Sequence, residues 1–440
     1  MIGDELLRAV IENPDDEGAR LVYVDSLIQA GDPRGELIAN HTDSLPPTEL
    51  STLWQQTLGD TVTELTFERG FPTRATLSIT PDDDRDPLLV LDRAPIRHVR
   101  LGYVGDDDDG EDDRDPVQAA ERFARDPRTA RLRSLDLAST QQRWGERAVR
   151  TLLSADLRAL RMLEIGDEDA TTYAVEAMLA STTPALQVLG FYGGYNLCNG
   201  DLRDGLAMLA ASPRVATLSE LAITKCSLEP SAADQIARSP HFANLVALDL
   251  TGGDYVSTQQ LGDEGLDFLA RSANLGKLER LELAGNEVTD HGVAALARSS
   301  TLGRLVRLGL AHNHVTDAGL AALAEPGVLA GLRSLTLTDC PITADGLAKL
   351  VAAHDFEELY LGGCETLGDA GMIALATSPH ARKLRYLNLH FRGVGADGIR
   401  ALVAAPIERL EFLVVPRLDP ALYQLLVERF GAETLSGSQS

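Results

Sequence analysis

Residues 305–324 read LVRLGLAHNHVTDAGLAALA. Leu308 and Leu310 alternate with Arg307, Gly309 and Ala311, the period of a short strand with one buried face. Asn313 follows, where a side-chain amide suits the backbone of a turning chain. Asp317 then precedes Gly319-Leu320, and Leu320 and Leu323 take helical spacing. The Asp317 carboxylate is suited to accept the free N–H groups at that helix start. The stretch spells strand, turn and helix. One such unit cannot bury its leucines alone, but stacked copies align the strands into a parallel sheet and the leucines into a continuous core.

Working outward, the spacing L-x-x-L-x-L-x-x-[N/C] recurs eleven times, with starts at Leu132, Leu160, Leu186, Leu218, Leu245, Leu278, Leu305, Leu332, Phe356, Leu384 and Ile407. The starts lie 23 to 33 residues apart, the period range of a solenoid. The helix start recurs as VTDHGVAAL (288–296), ITADGLAKL (342–350), LGDAGMIAL (367–375) and VGADGIRAL (394–402). This spacing resembles the leucine-rich repeat, and the return helix makes the units similar to the ribonuclease-inhibitor type. Residues 340–347, CPITADGL, resemble the cysteine-containing subfamily. The resemblance covers residues 132–415 and implies an α/β leucine-rich-repeat solenoid, with a parallel sheet on the concave face and helices on the convex face. Thr140, Glu168 and Val415 replace the Asn or Cys in repeats 1, 2 and 11. Cys226, Asn286, Asn313, Cys340 and Cys364 fall eight residues after their repeat starts and are expected to form a buried structural ladder.

The front end is different. Asp4–Glu12 reads as one helix, a second runs from Pro14-Asp15-Asp16 through Leu27 and Ile28, and Gly31-Asp32-Pro33 ends it and opens a third over Arg34–Asn40. Residues 12–38, ENPDDEGARLVYVDSLIQAGDPRGELI, resemble the repeat-companion domain, a short bacterial module that precedes repeat arrays. Ser26 stands where that family commonly has Trp. Val62-x-x-Leu65-x-Phe67 and Ile96-x-x-Val99-x-Leu101 fit the strand spacing and read as two irregular leading repeats. Thr, Gly and Asp interrupt the apolar pattern over Ser51–Thr63, so no helix is expected there. The organisation is therefore a helical cap over 1–45, irregular leading repeats with acidic loops over 46–131, a solenoid with a carboxy-terminal capping helix over 132–430, and a flexible tail over 431–440.

A net charge of −26 disfavours nucleic acid, since phosphate contacts need clustered Lys and Arg. Part of that charge sits in the runs Asp82–Asp86 and Asp106–Asp115, patterns typical of solvated loops. No basic leader and no long apolar run occurs, so a cytoplasmic location is the default and no membrane is expected. There is no CxxC pair, and Cys198 lies off the ladder, so no metal, cofactor or disulfide framework is expected. His312-Asn313-His314 resembles a metal tripeptide, but Asn313 belongs to the ladder and no third ligand is spaced nearby. No acid, base and nucleophile come together, and no catalytic residue is assigned.

The reading is a non-catalytic, monomeric scaffold that binds a protein of unknown identity on its concave face or edge loops. A GTPase regulator and an inhibitor of a basic enzyme are the alternatives. Twelve acidic and eight basic residues share the inner face, so charge alone does not define the partner. Aromatic content is only 5%, yet Tyr360, Arg385, Tyr386, His390 and Phe391 gather on adjacent repeats, and Tyr and Arg often dominate interface energy. Two insertions, near Gly193–Gly200 and Gly253–Gln260, add Tyr195 and Tyr255 as edge candidates.

Overall fold

The computed structural model describes residues 2–40, 48–79, 86–103, 116–137, 144–166, 169–183, 185–193, 202–226, 228–253 and 260–436. Tyr195, Cys198, Tyr255, Thr140, Glu168, most of both insertions and nearly all of the two acidic runs lie outside them. The chain divides into two compact units, Met1–Gly194 and Tyr195–Ser440.

The first unit opens with α1 (Ile2–Glu12), α2 (Glu17–Ala30) and α3 (Pro33–Ala39). Asp16 caps α2 by accepting from the Ala19 N–H at 3.1 Å, and Asp32 caps α3 by accepting from the Arg34 N–H at 3.0 Å. Residues over Ser51–Thr63 depart from expectation, because α4 (Thr48–Leu58) occupies most of them. Leu50, Trp54 and Leu58 are buried at i, i+4 and i+8, and Thr and Gln simply fill the solvent side. The segment read as a first leading repeat is also different. β1 (Val62–Glu68) pairs antiparallel with β2 (Phe71–Ile79) through a turn at Arg69 and Gly70, which leaves no room for a crossover helix. The parallel array starts at β2, whose Ala75 and Leu77 align with Val99 and Leu101 of β3 (His98–Tyr103). It continues through β4 (Ser134–Asp136), β5 (Met162–Gly166) and β6 (Val188–Tyr192). The return helices are α5 (Val90–Arg93), α6 (Val117–Arg125), α7 (Gly145–Leu152) and α8 (Thr172–Ala180).

Among the described residues of the second unit nine short strands pair in parallel in sequence order: β7 (Glu220–Thr224), β8 (Ala247–Asp249), β9 (Arg280–Glu282), β10 (Arg307–Gly309), β11 (Ser334–Thr336), β12 (Glu358–Tyr360), β13 (Tyr386–Asn388), β14 (Phe412–Val414) and β15 (Leu435–Ser436). Helices α9 (Leu202–Ala211), α10 (Pro230–Arg238), α11 (Gly262–Ala270), α12 (Asp290–Ala297), α13 (Asp317–Ala324), α14 (Ala344–Ala353), α15 (Gly368–Thr377), α16 (Ala396–Ala404) and α17 (Pro420–Phe430) return the chain. Leu221, Leu248, Leu281, Leu308, Leu335, Leu359, Leu387 and Leu413 form one row of the core, each fully buried. The last pairing corrects repeat 11. Its register starts at Leu410, not Ile407, so Leu413 and Val415 are core and Phe412 is not. Val415 is therefore a core residue, not a substituted ladder position. The expected tail is also partly structured, since Leu435 pairs with Leu413 on β14.

Three ladders lock the repeats together. Asn313 donates to the Leu283 carbonyl at 2.9 Å and accepts from the Asn286 and Val288 N–H groups at 3.0 and 2.9 Å. Asn286 reaches the Leu250 carbonyl at 2.8 Å, and the Cys340 and Cys364 thiols reach those of Leu310 and Leu337 at 3.2 and 3.0 Å. Cys226 is buried as well. A second ladder runs along the helix starts and corrects the role assigned to Asp317. Thr316, not Asp317, caps α13, and Asp317 reaches forward to accept from the Thr343 N–H at 2.8 Å. Likewise Asp290 accepts from the Thr316 and Gly319 N–H groups, both at 2.8 Å, and Asp263 accepts from those of Thr289 and Gly292 at 2.8 and 3.0 Å. A Cβ at Gly319 would lie 2.6 Å from Asp290 Oδ1, so this close approach requires glycine. A third ladder was not anticipated. Ser239, Ser272, Ser299 and Ser378 each donate to a carbonyl near the end of the previous repeat's helix at 2.6–2.7 Å, and His354 Nε2 takes that place at Leu323. The recurring Ala-Arg-Ser at 237–239, 270–272 and 297–299 was its signal.

Candidate protein-binding face

Because the leucines turn inward, the alternate strand positions form an open face on the second unit. One row runs Glu220, Ala247, Arg280, Arg307, Ser334, Glu358, Tyr386 and Phe412; the next runs Ala222, Asp249, Glu282, Gly309, Thr336, Tyr360, Asn388 and Val414. Arg280 pairs with Glu220 at 2.8 Å, and Arg307 with Glu358 at 2.6 Å. Ser334 Oγ donates to the same Glu358 carboxylate at 2.8 Å. Arg385 pairs with Glu411 at 2.6 Å, its guanidinium carbon 5.9 Å from the Tyr386 ring centre. Such half-exposed pairs add little stability but hold the side chains in place.

The aromatic end is built from Tyr360, Tyr386 and Phe412. The Tyr386 and Phe412 rings lie 6.5 Å apart, tilted by 39°. Phe412 is 39% exposed, a large apolar side chain left in water on a face whose leucines are all buried. Burial raises the Tyr360 phenol, with Glu358 adding to the shift. The Tyr386 phenol is raised by its hydrogen bond to Glu411, whose carboxyl is held low by Arg385 and Tyr386.

At the other end the Glu282 carboxylate leans over Gly309, where any side chain would collide with it. Burial, reinforced by neighbouring Asp249, pushes its carboxyl up to about 7 against the pull of Arg307 and Arg280.

Of the residues singled out from sequence, Tyr360, Arg385 and Tyr386 share this face. His390 is exposed beside it, its N–H donating to Asn388 Oδ1 at 3.0 Å. Phe391 does not belong to it: only 3% exposed, it turns into the core one residue before the ladder position, which Arg392 leaves vacant by facing solvent. Phe412 was missed because Ile407-x-x-Leu410-x-Phe412 imitates the repeat spacing. The competing frame Leu410-x-x-Leu413-x-Val415 was equally visible, and it places the repeat 26 residues after Leu384, an interval seen elsewhere in the array. His312 is a turn residue with φ 53°, and its Nδ1 lies 3.1 Å from Asp339. Among the described residues no group of three or more His, Cys, Asp or Glu is placed to hold a metal, and no helix is long and apolar enough to cross a membrane.

A family model described as Leucine Rich repeat matches residues 277–297, 305–324, 332–351 and 353–376, so this part of the chain consists of leucine-rich repeats. No curated protein matches. Among solved structures, the chain is similar to one in the yeast Rad7 and Elc1 complex, at 18% identity and a TM-score of 0.47, covering 73% of this chain and 84% of that one. It is also similar to an internalin (inlF) from Listeria monocytogenes, at 14% identity and a TM-score of 0.40, covering 87% of this chain and 94% of that one.

Proposed function

We propose that this chain is a non-catalytic scaffold that binds a protein partner on the open sheet face of its second unit, at Tyr360, Arg385, Tyr386 and Phe412. The exposed Phe412 ring against Tyr386 carries the reading, because an aromatic pair with an ordered Arg beside it is the composition that concentrates binding energy. The repeat architecture supports it, since stacked repeats present extended faces for partners. Tyr195 and Tyr255, in the two insertions, are candidates for edge contacts with the same partner.

The amino-terminal helices act as a cap on the first strands. Arg97, just before β3, donates to the Glu12 carbonyl at the end of α1 at 2.7 Å, and Arg20 of α2 to the Arg69 carbonyl at 2.9 Å. The Arg20 and Arg34 guanidinium carbons lie 5.2 and 5.0 Å from the Phe71 and Trp54 ring centres. These conspicuous arginines of the repeat-companion-like segment are thus committed to packing, which supports a structural role.

The test is capture from cell extract with the full chain and with a Tyr386→Ala/Phe412→Ala variant of matched circular dichroism. A partner retained by the first and weakened at least about fivefold by the second supports the reading. Equal capture by both removes this face from consideration.

A further inference from the structure

We propose that the partner presents an extended segment in which a lysine or arginine lies about four to six residues from a bulky apolar residue, the cation seated at Glu282 and Asp249 and the apolar side chain on Tyr386 and Phe412. This rests on the reading of the sheet face as the docking surface, and it names the chemistry that surface takes.

Most charges on the face are answered within it: Glu220 by Arg280, Glu358 by Arg307, Glu411 by Arg385. Asp249 and Glu282 differ. They are adjacent in register on β8 and β9, and neither forms an ion pair among the described residues. Among the described residues Asp249 accepts from the Thr251 N–H, at 2.9 Å. A like-charged pair on the same face as the aromatic pair invites a cation on the segment that covers both.

The spacing follows from the sheet. Glu282 overlies β10, and the aromatic pair stands on β13 and β14. Three to four strand spacings of about 4.8 Å give roughly 14–19 Å, the reach of about four to six extended residues at 3.3 Å each. Gly309 and Thr336 carry small side chains on β10 and β11, so a segment can cross those strands before it meets Tyr360 on β12.

The titratable and charged groups facing Glu282 are Asp249 on β8, Arg280 on its own strand, Arg307 on β10 and Tyr360 on β12. With the Glu282 carboxyl near 7, a bound cation expels its proton, and binding tightens as pH rises.

A random twelve-residue phage-displayed library is selected on the immobilised full chain, the Glu282→Gln variant and the Phe412→Ala variant. The expected wild-type peptides carry Lys or Arg at the stated distance from an apolar residue. Glu282→Gln should lose the basic preference and keep the apolar one, and Phe412→Ala should do the reverse. A selected peptide, synthesised with a fluorophore, should bind the wild type roughly tenfold tighter at pH 8 than at pH 6, a difference absent in Glu282→Gln. Peptides sensitive to Phe412→Ala but indifferent to Glu282→Gln, or acidic in composition, overturn this inference and leave the docking face standing. A selection yielding no peptide sensitive to either variant overturns both.

Discussion

Replacing Asp290 with Ala tests the inter-repeat ladder directly. Its carboxylate collects the Thr316 and Gly319 N–H groups at 2.8 Å each and the Thr316 hydroxyl at 2.7 Å, all from the next repeat. A hydrogen bond to a charged group contributes about 1.5–3 kcal/mol when buried. These groups are part-buried, and the hydroxyl can turn to water, so the sum overstates the loss. The positive end of the α13 helix also loses its facing carboxylate, a further contribution of about 0.3–1 kcal/mol. We expect a cost of about 2–4 kcal/mol for Asp290→Ala. Asp290→Asn retains an acceptor for both amides and should cost about half as much. Amide exchange is the decisive assay, because each repeat contacts mainly its neighbours and damage is felt first at that interface. The Thr316 and Gly319 amides should lose protection before those of β7. Wild-type protection at both amides, or strict additivity of Asp290→Ala with Thr316→Ala, would refute the ladder as a coupling between repeats.

Leu308→Ala should cost about 2–5 kcal/mol in urea unfolding, since Leu308 is fully buried between Leu281 and Leu335; an unchanged midpoint would mean a wrong register. The Glu282 carboxyl is raised from 4.5 to about 7, so its stabilising contribution is complete below pH 4.5 and is lost as pH rises through 7. Glu282→Gln, neutral throughout, should therefore be more stable than the wild type at pH 8 by about 1–3 kcal/mol and show no such advantage at pH 4; the same difference at both would contradict that account. Burial pushes the Cys340 and Cys364 thiols up to about 11 and 12, so iodoacetamide at pH 8 should label neither until urea unfolds the chain. Prompt native-state labelling at Cys364, read by peptide mass mapping, would place that thiol outside the core.

The buried rows were legible in the amino-acid sequence because inward or outward facing is decided within one strand. Leu305, Leu308 and Leu310 alternate locally, and their return at a near-constant interval forces the copies to stack. Asn313 and Cys340 were readable for the same reason, since each holds a fixed offset from its own leucines. Where two frames fitted one strand, local spacing had no answer. Ile407-x-x-Leu410-x-Phe412 and Leu410-x-x-Leu413-x-Val415 satisfy the same pattern, and only pairing with β13 and β15 put Phe412 in water beside Tyr386. The β1–β2 hairpin was hidden likewise, since alternation is the same whether the next strand is parallel or antiparallel. Asp317 could be recognised as a helix-start carboxylate, but which helix it serves depends on the N–H groups that stacking brings within reach. Glu282 is the extreme case. Its proton affinity is set by burial, by Asp249 one strand back and by Arg307 one strand ahead, neighbours about thirty residues away in the chain that only the stacking of the repeats brings together.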